Sequence, residues 1–142
     1  MADSPDLTDA TSTRSVCIRV PARADVVQVI RTVVGSVASR LGFAYDRVDD
    51  LRLDTSEVVA HLLEEQPPPE ALVVRVFEMD EGVEVIAART TGTPAWPPTG
   101  ARHSLTTLIL RALADEASFE RSGDGPAIRF AKRHHDGADA AP

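Results

Sequence analysis

Between Ala24 and Leu41 the apolar residues Val26, Ile30, Val33, Val37 and Leu41 recur with the period of an α-helix, and Val27 and Val34 widen the stripe. A helix with one apolar face is stable only when another element covers that face. Asp25 falls in its first turn, where the helix dipole favours an acid, and Gly42 supplies a stop. A second stripe follows at once. Val48, Leu51, Val58 and Leu62 line a helix that Asp46 is expected to cap, running to about Glu65, where Pro67-Pro68-Pro69 ends it. Two adjacent helices, each apolar on one side, need a third body to pack against.

The rest of the chain supplies strands. Alternation from Arg14 to Val20, ended by Pro21, predicts a first strand. Ala71 to Phe77 and Val83 to Ala88, separated by Asp80-Glu81-Gly82, read as a hairpin. Residues 90–101 form an irregular Pro- and Gly-rich loop. Ser104 is expected to cap a third helix through Leu105, Leu108, Ile109, Ala112 and Leu113. A last hairpin covers about 116–121 and 126–132, with Gly123-Asp124-Gly125 as turn chemistry rather than a phosphate loop. The order β-α-α-β-β-α-β-β predicts an α+β, two-layer sandwich: a mixed, mostly antiparallel sheet with helices on one face. A chain of 142 residues with 43% apolar content builds one core of this kind. Residues 1–13 read as a disordered arm, 14–133 as the domain, and 134–142 as a loose tail.

A net charge of −7 disfavours nucleic acid as a partner. No apolar run approaches the roughly 20 residues needed to cross a bilayer, and Met1 to Arg14 lacks the pattern of a secretory signal, so the expected compartment is the cytoplasm. Cys17 is the only cysteine, which rules out an internal disulfide, and its place in the first strand reads as packing rather than chemistry.

The second helix carries a polar stripe. Asp50, Asp54, Glu57 and His61 are spaced i, i+4, i+7 and i+11, which at about 100° per residue gathers them in one arc. Such a stripe suits a divalent cation or general-base work. By spacing alone, however, a solvated acidic face opposite the core is the preferred reading, and no metal site is assigned.

The runs Arg31 to Gly42, Asp46 to Leu53 and Ser56 to Val58, with Arg111 to Glu116, Ser118 to Arg121 and Ile128 to Phe130 near the end, resemble the anti-sigma-factor serine kinases. These are GHKL (Bergerat-fold) ATPases, and the likeness covers about 14–133. It implies that Glu57 holds the position of the family's catalytic glutamate. His61 stands where the family has a magnesium-binding asparagine, and the chain contains no asparagine at all. The family's adenine-reading Asp-x-Gly-x-Gly aligns with Thr90-Thr91-Gly92-Thr93-Pro94, and its phosphate-loop glycines fall on Ser104 and Thr106. The resemblance therefore implies an ATP and magnesium site that is present in outline but degenerate at His61, Thr90, Gly92, Ser104 and Thr106.

The implied function is sequestration of an alternative sigma factor, with exchange onto an anti-sigma-factor antagonist and a homodimer as the expected assembly. The alternative is an active ATP-dependent serine kinase that phosphorylates the antagonist. Arg31, Arg40, Arg47 and Arg52 are candidates for the partner surface. Trp96, set between prolines, reads either as a docking residue or as a side chain folded back over the nucleotide cleft. His134-His135 reads as part of a solvated tail.

Overall fold

The computed structural model describes residues 14–90, 96–98, 100–122 and 125–134. Strand β1 (Ser15–Pro21) is followed by a 3-10 turn, Ala24–Val26, that leads into α1 (Val27–Arg40). Then come α2 (Tyr45–Glu64), β2 (Ala71–Glu78), β3 (Gly82–Thr90), α3 (Ala101–Leu113), β4 (Glu116–Ser122) and β5 (Gly125–Arg133). The five strands form one sheet in the order β1-β2-β3-β5-β4. The fold expected from the sequence is present with one correction: all four pairings are antiparallel, so the sheet is not mixed. The long connections make this possible, because α1 and α2 together return the chain to lie antiparallel beside β1, and α3 carries it to the far edge.

Strand alternation fixes which side chains meet the helices. Leu72, Val74 and Val76 of β2, Val83, Val85 and Ala87 of β3, and Ile128 and Phe130 of β5 point into one core. Ile30, Val34, Val37 and Ala38 of α1 and Val48, Leu51, Val58, Val59 and Leu62 of α2 close over them. The stripes read from the sequence for α1 and α2 are thus largely the buried ones, with Val33 only half-buried and Ala38 in the core; the stripe expected for the third helix is corrected, because Leu105, Leu108 and Ala112 are exposed and Leu110 is the buried residue.

Two helix starts differ from expectation. Asp46 is not the cap of α2: Ala44 holds that place in extended backbone, and Asp46 lies in the first turn, its carboxylate accepting from the Arg47 amide at 2.9 Å. Ser104 does not cap α3 either. That helix begins three residues earlier, after Gly100, whose φ of 101° only glycine adopts readily, and the Ser104 hydroxyl donates back to the Gly100 carbonyl at 3.1 Å. No described helix is long and apolar enough to cross a membrane.

The N-terminal arm and the tail beyond His134 lie outside the described residues. His134 itself is held in place, its ring tilted against Phe43 with centroids 4.8 Å apart and its amide bonded to the Glu81 carbonyl.

Candidate functional site

The polar stripe of α2 does not face solvent. Its arc overlaps the edge of the apolar stripe, so Asp54 and His61 turn inward and are fully buried. The expectation of a solvated acidic face is therefore corrected. The four side chains do not converge on one point; each goes to a different neighbour.

Glu57 meets α3. Its carboxylate accepts from the hydroxyl of buried Thr106 at 2.7 Å. Two side chains that the resemblance places in the nucleotide site, Thr106 and Glu57, thus bond to each other. Ser104, aligned with the other glycine, is exposed and turned back to Gly100.

His61 meets a group of rings. Phe119 of β4 stands edge-on to it at 5.9 Å, Trp96 lies at 6.1 Å and His103 of α3 at 6.3 Å. Trp96 and His103 in turn pack on Phe119, at 5.6 and 4.7 Å. The Trp96 indole N–H donates to the Glu120 carbonyl at 2.8 Å. Trp96 is thus turned back onto the chain, against His61 and Phe119. Four rings from α2, α3, β4 and the Pro-rich segment thus gather around His61, one helical turn along α2 from Glu57.

Asp54 and Asp50 meet the sheet. Lys132 of β5, nearly buried, lies 3.4 Å from the Asp50 carboxylate and donates to the Leu113 carbonyl at the end of α3, where a cation complements the helix dipole. Neither oxygen of Asp54 has a hydrogen-bond partner. Burial pushes its carboxyl up to about 8, with nearby Lys132 opposing the rise and Asp50 adding to it. Asp54 is accordingly a neutral acid near pH 7, not an available base. Among the described residues no three His, Cys, Asp or Glu side chains gather as a metal site.

Thr90 bonds to the start of β2. Its hydroxyl accepts from the Ala71 amide at 3.0 Å, tying the end of β3 to the start of β2. Gly92 lies outside the described residues. The residue before Thr90, Arg89, is fully buried, which sequence reasoning missed. Its guanidinium donates to the carbonyls of Leu62 at 3.0 Å, Glu65 at 2.7 Å and Pro67, closing the C-terminal end of α2. Burial lowers its pKa, partly offset by Glu65. The alternation that places Val83, Val85 and Ala87 inward also points position 89 inward, so the signal was available.

Three of the four candidate surface arginines are engaged within the chain. Arg40 pairs with Glu78 at 3.2 Å, Arg52 with Asp49 at 3.3 Å, and Arg47 donates to the Arg133 carbonyl at 3.1 Å. Arg31 is half-buried.

The first conclusion is one of class: five antiparallel strands under three helices form an α+β sandwich consistent with a GHKL-like fold. No family model matches the sequence. The serine-protein kinase RsbW of Bacillus cereus (strain B4264) is 33% identical over 75 residues, covering 50% of this chain and 46% of the relative. That of Bacillus thuringiensis (strain Al Hakam) is 35% identical over 65 residues, covering 43% of this chain and 41% of the relative. The chain spans less than half the length of these curated relatives. It is a distant relative of the RsbW serine-protein kinases, in agreement with the resemblance read from its motifs.

Proposed function

We propose that this chain acts as an anti-sigma-factor-like regulator. It holds an alternative sigma factor by direct contact, exchanges it with an antagonist, and does so without nucleotide. Relatedness to serine-protein kinases supports the regulatory setting. The observation that carries the nucleotide-independent part is the ring cluster of His61, Trp96, His103 and Phe119 beside Glu57. A magnesium nucleotide needs oxygen ligands and open space against backbone amides. The residues present do not fit it: an imidazole among aromatic rings is not a ligand for a hard cation, and Glu57 is engaged by Thr106. No phosphoryl-transfer step is derived for this chain.

The test is affinity capture of the sigma factors of the native cell on the purified chain, with ATP, with ADP and with neither. Equal capture in the three conditions is expected, through an interface of at least about 1,000 Å². Capture that requires nucleotide would overturn the closed-cleft reading and favour an active kinase. No sigma factor in any condition would remove the anti-sigma function and leave only the fold.

A further inference from the structure

Lys132 is the only lysine of the chain; apart from histidine, every other basic side chain is arginine. A guanidinium is a rigid planar fork, whereas an ammonium is compact and can turn its three donors from one partner to another. This ammonium stands where three elements meet. The Lys132 side chain, on β5, is 8% exposed, and its nitrogen lies 3.4 Å from the Asp50 carboxylate of α2. It also donates to the carbonyl of Leu113, the last residue of α3. The Ala114 amide closes the same turn by donating to the Leu110 carbonyl at 2.8 Å. Lys132 thus pins the C-terminal turn of α3 to β5 and α2.

One turn along α2 from Asp50 lies Asp54, fully buried and with neither carboxyl oxygen hydrogen-bonded. Buried carboxyl oxygens normally have partners, because an unmet one costs free energy. Asp50, 32% exposed, has both water and the ammonium; Asp54 has neither. The charges that act on Asp54 are those of Lys132 and Asp50. Glu57, the next acid along α2, is turned to Thr106 of α3. Arg89 of β3 is engaged at the far end of α2, His61 lies two turns away among rings, and α1 turns only uncharged residues into the core.

We infer that Lys132 and Asp54 form a proton-operated latch on the end of α3. While Asp54 keeps its proton, Lys132 holds the Leu113 carbonyl and Asp50. When that proton passes to water, the new carboxylate is a stronger acceptor than a carbonyl. Lys132 turns to it, and the last turn of α3 is released. Burial raises the Asp54 carboxyl to about 8, with Lys132 opposing the rise and Asp50 adding to it, so the latch is closed at neutral pH and opens just above it. The latch is a property of the fold and does not depend on what the chain binds.

The experiment follows amide hydrogen exchange of the full chain, corrected for the intrinsic rate at each pH. Between about pH 7 and pH 9 the protection of the Ala114 amide should fall about tenfold, while the amides of β3 keep theirs. Asp54→Asn should hold the high protection at every pH, and Lys132→Met the low one. Circular dichroism verifies that both variants fold. Two carbon-13 titrations of the wild-type chain need no variant: the Asp54 carboxyl and the Leu113 carbonyl should move together, with one midpoint at about 8. An Asp54 carboxyl that ionises near 3.8 would overturn the latch. So would a Leu113 carbonyl that stays fixed while Asp54 titrates, or wild-type pH dependence of the Ala114 amide in either variant. Equal loss of protection in β3 and α3 would also reject it, because that pattern marks unfolding of the whole domain.

Discussion

Thr106 Oγ1 donates to Glu57 Oε2 across 2.7 Å, joining α3 to α2 at the carboxylate that the family resemblance marks for catalysis. The Glu57 carboxylate therefore serves a structural contact. Thr106→Val, which keeps the shape of the side chain and deletes the donor, should lower stability by about 2 kcal/mol, the usual scale for a hydrogen bond to a charged group. Thr106→Ser should keep most of it. Urea melts of the two variants measure both values; a Val variant as stable as wild type would reduce the bond to a surface contact.

Asp54 should make stability depend on pH. In the unfolded chain its carboxyl ionises near 3.8, whereas in the folded chain it keeps its proton to about 8. Between these values the folded state binds the extra proton, so stability falls as pH rises, and the loss is complete above about 8. The full contribution is on the order of 5 kcal/mol. Asp54→Asn, neutral at every pH, should flatten the stability profile from pH 4 to 8 and leave the variant more stable than wild type at pH 8. Parallel profiles for the two proteins would show that Asp54 is ionised in the fold.

Arg89→Met should cost about 3 kcal/mol or more. It retains the buried stem but leaves the carbonyls of Leu62, Glu65 and Pro67 without their donor. Arg89→Lys should recover little, because an ammonium lacks the planar fork that spans several carbonyls. Thermal denaturation of the three proteins is the measurement, and near-wild-type stability of the Met variant would contradict the assigned role.

Trp96 is the single tryptophan of the chain, so its fluorescence reports on the ring cluster alone. Magnesium ATP at about 1 mM, the concentration at which a binding free energy of roughly −4 kcal/mol half-fills a site, should leave its emission unchanged. A saturable change at micromolar ATP would mean that nucleotide displaces the rings.

Much of this fold was legible because burial imposes a period. The stripes through Val26 to Leu41 and Val48 to Leu62, and the alternation in β2, β3 and β5, come from the same core seen from different elements. The start of α3 was not legible: a glycine at φ 101° reads locally as loop, and Ser104 offers a persuasive false cap. The candidate site was half legible. Spacing placed Asp50, Asp54, Glu57 and His61 on one arc, but a spacing has no direction. The clue lay in comparing arcs: Leu51, Val58 and Leu62 sit close enough around the helix to carry Asp54 and His61 inward with them. The ring cluster depends on residues from α2, α3, β4 and the segment at Trp96, which only tertiary structure brings together.

The clamp of Arg89 on the end of α2 also orders events during synthesis. Helices α1 and α2 leave the ribosome well before β3, and the C-terminal end of α2 lacks its Arg89 donor until residue 89 emerges. That end of α2 is fastened only by a strand made later. A pause in translation between Glu65 and Arg89 would leave the end of α2 unfastened for as long as it lasts.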